Sequence, residues 1–80
     1  MAIYIGLELV DKNGSAHTYS FLSSDGKVYG KLMVDVDAKE VCLLESIDEH
    51  AEQFAYPRAR RAIEKAMEKG ALPDNLAYTA

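Results

Sequence analysis

Two histidines and one cysteine are the residues of this chain whose side chains most often perform nucleophilic or metal chemistry. A nucleophilic cysteine needs a base within hydrogen-bonding reach, and a zinc site needs three or four ligands at characteristic spacing. His17, Cys42 and His50 lie far apart in the sequence and have no such spacing. The sequence therefore predicts no catalytic residue, no metal site and no cofactor, and we interpret the protein as non-enzymatic.

The string GKVYGK, residues 26–31, has the glycines and lysines of a phosphate-binding loop. That loop has four residues between its glycines, is followed by Lys and then Ser or Thr, and joins a strand to a helix. Here the glycines are too close together, and the string continues into a stretch with strand periodicity. We therefore reject a phosphate loop.

Basic residues are concentrated in the segment YPRARRAIEKAMEKG, residues 56–70, which holds all three arginines of a chain with a net charge of −4. If the segment is helical, four basic residues recur at intervals of three or four and form a stripe about 16 Å long. We call this set the basic stripe: Arg58, Arg61, Lys65 and Lys69.

Three interpretations of the basic stripe remain open. The favoured one is a solvated helix face, because Arg and Lys are good helix formers and Arg60 can pair with Glu64 one turn away. Nucleic-acid binding depends on phosphate neutralisation, and one stripe on an acidic chain supports it poorly. The third is contact with an acidic protein or with the acidic segment of a second copy, residues 45–52.

The first half of the chain alternates apolar and polar residues with the period of two that is typical of strands with one buried face. The pattern predicts strands at residues 2–10, 16–22, 27–36 and 40–45. Asn13-Gly14 lies in the first turn, and this dipeptide is a strong hairpin signal because both residues tolerate positive φ. The four stretches therefore predict an antiparallel meander.

The second half has helical spacing. Ser46 and Glu49 match a capping box, which predicts a helix start at residue 47. Pro57 lacks an amide hydrogen and fits the first position of a helix better than its interior. We therefore predict a short helix at 47–55, a break at Tyr56 and a main helix at 57–69, with a single helix kinked at Pro57 as the alternative.

These elements predict an α+β fold in one small domain, residues 1–80, with the helical layer packed on one face of the four-stranded meander. Gly70 suits the end of the main helix, and residues 74–80 are either a short edge strand or an ordered tail. The predicted core combines apolar residues from strands and helices: Ile5, Leu7, Phe21, Leu32, Val34, Leu43, Phe54, Ile63 and Met67.

One helical layer covers only one face of a sheet, so the other face is predicted to remain open. The alternation makes this open face rich in tyrosine and methionine, which are enriched at protein interfaces. We therefore interpret it as a contact surface, with a homodimer as the simplest outcome. The alternative is an ordinary solvated face, because Tyr favours strands in any case. The predicted open face includes Tyr4, Glu8, Tyr29, Lys31 and Met33.

The leading hypothesis from the sequence is a small acidic module that binds a protein through a surface. In size and charge the chain resembles bacterial toxin-immunity proteins, and this resemblance implies a stoichiometric protein partner. The alternatives are an enzyme or ligand-binding subunit with its site at a dimer interface, and nucleic-acid binding through the basic stripe. A lone cysteine, with no signal peptide and no membrane-spanning run, favours a cytoplasmic protein.

Overall fold

A computed structural model describes residues 3–70 and 72–79. In this part of the chain five antiparallel strands form one sheet, and a helical layer packs against it. The predicted α+β class is confirmed, with five strands in place of four. In chain order the elements are β1 (Tyr4–Asn13), β2 (Ala16–Leu22), β3 (Val28–Asp35), β4 (Glu40–Ser46), a π-helical segment (Ala51–Ala55), α1 (Tyr56–Glu68) and β5 (Asn75–Thr79).

The strands lie in the order β4-β3-β2-β1-β5. The first four form the predicted meander, and the helical layer then carries the chain from the β4 edge to the opposite edge. There β5 pairs antiparallel with β1, with Leu76 opposite Leu7 and Tyr78 opposite Ile5. The edge-strand alternative for the end of the chain is therefore confirmed for Asn75–Thr79.

Three β-bulges interrupt the alternation that the sequence shows. The pairing registers skip Val10 in β1, Tyr29 in β3 and Leu44 in β4. An extra residue in one strand reverses which side chains face the core beyond it. For this reason Val28, which alternation assigns to the buried face, is 45% exposed.

The helical layer is continuous, so the predicted break at Tyr56 is wrong. Ala55 and Tyr56 both have right-handed helical φ and ψ angles. The amide of Tyr56 bonds to the carbonyl of Ala51, five residues back, which is the π-helical pattern. Pro57 cannot donate to the carbonyl four residues back and its ring would clash there, and we attribute the wider π turn to this constraint.

Helical geometry begins at Glu49, just before the π-helical segment and two residues later than predicted, and a different side chain caps it. Ser46 belongs to β4, whereas the carboxylate of Asp48 accepts a 2.8 Å hydrogen bond from the amide of Ala51. The capping box of Ser46 and Glu49 is therefore wrong. Asp48 satisfies a free amide at the N3 position and also suits the positive end of the helix dipole.

The core lies between α1 and the strand side chains that face it. Small residues on the helix, among them Ala59 and Ala62, allow Tyr19 and Phe21 of the central strand to fill the space between the layers. Of the predicted core, Leu43 and Met67 are partly buried, and Phe54 lies outside it, stacked on His50 with ring centroids 4.9 Å apart. The remaining predicted residues are fully buried: Ile5, Leu7, Phe21, Leu32, Val34 and Ile63.

Candidate functional site

A groove of about 460 Å³ runs between α1 and β5. We call it the α1–β5 groove. Alanine side chains on the helix make it wide, and the strand contributes apolar side chains. Its lining consists of Ala62, Lys65, Ala66 and Lys69 from the helical side and Pro73, Leu76, Ala77, Tyr78 and Thr79 from the strand side.

The loop that joins α1 to β5 is tied to the sheet at two points. The hydroxyl of Tyr19 donates a 2.7 Å hydrogen bond to the carbonyl of Pro73, and the amide of Leu9 donates one of 2.7 Å to the carbonyl of Asp74. The helix ends at Gly70, whose φ of 81° is unfavourable for residues with a side chain. Together these features fix where β5 begins and thus the width of the groove.

Alternation along β5 gives the groove an apolar strand wall. Leu76 and Tyr78 are half-buried and pack against the core, whereas Ala77 and Thr79 are exposed. Because β5 is the last strand of the sheet, its outer edge presents backbone N–H and C=O groups that no strand of the described chain pairs. The groove therefore combines an apolar wall with a line of free backbone hydrogen-bonding groups.

The charge at the groove is positive. Lys65 and Lys69 are both exposed in its lining, and no acidic residue lines it. Within residues 3–70 and 72–79 neither lysine has a carboxylate oxygen within 4.0 Å, since the two ion pairs found there are Lys31–Glu45 and Arg60–Glu64. These two lysines are therefore available to an anionic partner.

Of the other two members of the basic stripe, Arg58 is less available than Arg61. The Arg58 guanidinium carbon lies 3.9 Å from the centroid of the Phe54 ring, and Nη1 donates a 2.9 Å hydrogen bond to the Phe54 carbonyl. Arg60 pairs with Glu64 at 3.4 Å, as the spacing predicts, and Arg61 is exposed. The stripe is thus divided, because Arg58 stabilises the helix start while Lys65 and Lys69 border the groove.

The open face retains four of its five predicted residues, and Glu8, one of the four, is exposed. Tyr4 is 44% exposed and Lys31 is exposed on this face, and Met33 is half-buried. Tyr29 is the exception, because the bulge in β3 turns its ring toward the helical layer, where it meets the His50 ring edge-on at 6.3 Å. The predicted position of Tyr29 on the open face is therefore wrong.

The fold changes the acidity of three side chains, all outside the groove lining. Burial raises the pKa of Tyr19 to about 12, and Asp74 adds to the effect. Burial also raises the pKa of Tyr56. The hydrogen bond from the Ser23 hydroxyl lowers the pKa of the exposed Asp25 carboxyl in the turn before β3. The two tyrosine shifts are consequences of packing, and the third of turn geometry.

His17, Cys42 and His50 do not form one site. Cys42 is exposed on β4, whereas His50 belongs to the aromatic stack at the helix start. Among the described residues there is no group of three His, Cys, Asp or Glu side chains arranged to hold a metal ion. The helical segments of the same residues are too short or too polar to cross a bilayer.

Comparison of the chain with protein-family models, curated proteins and solved structures found no match. Its function must therefore be inferred from the chemistry of its own surfaces. Helical spacing predicted Lys65 and Lys69 as contact residues, whereas Leu76 and Tyr78 were not predicted, although the alternation in residues 75–79 favours a strand.

Proposed function

We propose that this protein is a non-enzymatic binding module that recognises a protein partner through the α1–β5 groove. The observation that carries the proposal is the coincidence, within the described residues, of an apolar wall, a strand edge that no other strand pairs and two lysines without carboxylate partners. Apolar surface provides affinity, and convergent polar groups provide orientation and specificity. A cytoplasmic location, in keeping with the lone cysteine Cys42, is part of the proposal.

The nucleic-acid alternative gains no support from the geometry of the basic stripe. Phosphate binding needs several cations directed outward along one surface. Of the stripe's four cations, Arg58 is folded onto Phe54, two line the groove, and Arg61 is exposed outside the groove. An enzyme or ligand-binding site at a dimer interface likewise has no specific observation in its favour.

Affinity capture with matched variants tests the groove as the binding surface. Ala66→Gln fills the groove without changing charge and with only a small loss of helix propensity, and Ala38→Gln makes the same change in an exposed turn before β4. We expect the wild type and Ala38→Gln to retain the same protein from a native lysate, and Ala66→Gln to lose it. Equal capture by all three proteins would contradict the groove as the binding surface.

The open face is a second candidate surface, for a second copy of the chain. Tyr4 and Val28 are 44% and 45% exposed there. We propose a weak homodimer through this face, as such small apolar areas support only modest affinity. Tyr4→Asp should lower the sedimentation-equilibrium mass to that of the monomer, whereas Ala38→Asp, in the exposed turn before β4, should not. A monomeric wild type at high concentration would contradict the homodimer.

A further inference from the structure

We propose that the partner segment in the α1–β5 groove is an extended acidic peptide, which adds to β5 as a sixth strand of the sheet. This inference rests on the proposed function and specifies the chemistry of the partner. It follows from three properties of the groove: the regularity of the β5 edge, the spacing of the two lysines and the small side chains between them.

The β5 edge is regular enough to accept another strand. Residues 75–79 pair one-to-one with residues 4–8 of β1, with no register shift. An added strand would lie about 4.8 Å beyond β5 and take up its free N–H and C=O groups. Alternate side chains of that strand would then point to the side of the sheet that carries α1.

The two lysines have a spacing that an extended chain can match. Lys65 and Lys69 are four residues apart on α1, which corresponds to about 6 Å along the helix axis. Residues i and i+2 of a strand lie on the same face about 6.7 Å apart. Two acidic residues separated by one residue in an extended chain can therefore meet both lysines at once.

The groove floor leaves room for the rest of the peptide. Beside Lys65 and Lys69, the helix lines it with Ala62 and Ala66, whose side chains do not extend beyond a methyl group. Apolar residues that flank the acidic pair in the peptide would lie between these alanines and the Leu76 and Tyr78 side chains. The recognition pattern is thus apolar–x–acidic–x–acidic–x–apolar, where x faces the open side.

A second copy of this chain is the less suitable occupant. Twofold pairing of β5 with its own copy would bring Lys65 and Lys69 of both molecules to one seam, where like charges repel. Pairing of β5 with β4 of another copy would be head-to-tail and would grow into an open-ended assembly. Sedimentation that shows mass growth through β5 would overturn the proposal in favour of self-association.

Nuclear magnetic resonance titration with a synthetic probe tests the inference on the intact protein. The probe is the end-blocked peptide Thr-Val-Thr-Glu-Val-Glu-Thr-Val-Thr, and its control carries Gln in place of both Glu residues. We expect the probe to shift the amide signals of residues 75–79 and the control peptide to bind about tenfold more weakly. Equal affinity for both peptides would overturn the acidic specificity.

Protein variants locate the charge effect. The double variant Lys65→Gln and Lys69→Gln should weaken binding of the acidic probe about tenfold and leave binding of the Gln peptide unchanged. The reason is that removing the two lysines and removing the two glutamates of the peptide eliminate the same contacts. The matched control, Lys12→Gln and Lys27→Gln, removes the same charge from two exposed lysines outside the groove lining. Equal losses in both double variants would mean that only the overall charge matters, which would overturn the proposal.

Backbone methylation of the probe tests strand addition itself. Only alternate residues of an added strand bond to the sheet, so methylating the odd-numbered amides and the even-numbered amides should give opposite results, with one form binding and the other not. Equal binding by the two forms would overturn strand addition. If Ala66→Gln still abolishes capture of a native partner in that case, the proposed function stands and only the chemistry of the partner segment is wrong.

Discussion

The two edges of the sheet differ in regularity and in charge. The β4 edge contains a bulge at Leu44, and the cavity of about 320 Å³ beside it includes Asp35, Glu40 and Glu64 together with Lys39 and Arg60. The β5 edge has no register shift, and the charged residues of its groove are two lysines.

This difference indicates which edge is open to a partner. Bulges and mixed charges hinder the addition of another strand, and natural sheets use both for protection. The β4 edge has both features, whereas the β5 edge has a regular backbone beside small helix residues. A molecule built in this way has one preferred place for an added strand.

The largest expected effect on stability comes from a substitution at Gly30, which lies beside β4. The matched substitution is at Gly6, which lies beside β5. A methyl group on Gly30 would overlap the backbone carbonyl of Glu45 in β4, and the pairing of β3 with β4 would have to shift. At Gly6, beside β5, the methyl group would meet the Tyr4 side chain at 3.2 Å, which can rotate away. We expect Gly30→Ala to lower the free energy of unfolding by about 3 kcal/mol and Gly6→Ala by less than about 1 kcal/mol.

Urea unfolding followed by circular dichroism measures both glycine variants. Similar losses for the two would mean that the β3–β4 pairing tolerates a shift. In that case the β4 strand can move to accommodate a side chain at Gly30, despite the close approach of Gly30 to Glu45.

A smaller effect is expected where the chain leaves β4 and enters the helix. Asp48→Ala removes the cap on the Ala51 amide and should lower the free energy of unfolding by about 1 kcal/mol. Ser46→Ala should change it by less than about 0.5 kcal/mol, because the Ser46 hydroxyl makes no hydrogen bond to other described residues. Thermal and urea melts of the two variants measure the difference. A larger loss for Ser46→Ala than for Asp48→Ala would support the capping box of Ser46 and Glu49.

The corresponding change on the β5 side is Tyr19→Phe. It removes the hydrogen bond to Pro73 and should lower the free energy of unfolding by about 1 kcal/mol. Amide exchange should become faster in β5 than in β4, because the lost bond anchors only the loop into β5. Equal acceleration in both strands would show that Tyr19 supports the core and not the loop.

Tyr19 also predicts how stability depends on alkaline pH. Its pKa is about 12 in the folded protein and 10 when unperturbed, so the unfolded chain loses the proton first. The stabilisation is fully present below pH 10 and is lost as pH rises toward 12. Tyr19→Phe should flatten this decline but not abolish it, because burial also raises the pKa of Tyr56. Urea midpoints measured from pH 8 to about 12 test the slope.

The smallest effects are expected for two neighbouring arginines. Arg60→Gln breaks an exposed ion pair with Glu64 and should change stability by about 0.5 kcal/mol or less, and Arg61→Gln by less still. Neither should create or remove strong binding to oligonucleotides at low salt. Micromolar oligonucleotide binding by the wild type, lost in Arg61→Gln, would revive the nucleic-acid alternative for the basic stripe.

Local patterns predicted the first four strands and the position of the helix well. Alternation located β1 to β4, and Gly14 has the positive φ that the first hairpin requires. Arg60 and Glu64, spaced four residues apart, form the predicted ion pair. These features depend on residues that are neighbours in sequence. Ile63 is fully buried for the same reason, since helical periodicity alone gives its side of the helix.

The features that sequence patterns missed depend on distant residues. The bulge at Tyr29 is a property of the register between β2 and β3, and no residue type at that position signals it. Before Pro57 the helix stays continuous through a π turn, although the proline has no amide hydrogen to donate. From the proline alone we predicted a break. The groove depends on β5 crossing to the far edge, and a short strand at the end of a sequence gives no indication of its neighbour.

The pairing of β5 with β1 also has a kinetic consequence. The hairpins from β1 to β4 join strands that follow one another, whereas almost the whole described chain lies between Ile5 and its partner Tyr78. Closing so long a loop costs more chain entropy than closing a hairpin, and distant pairings form late in folding. The α1–β5 groove is therefore expected to be the last part of the molecule to form, so that a nascent chain acquires its four-stranded meander before it can hold a partner.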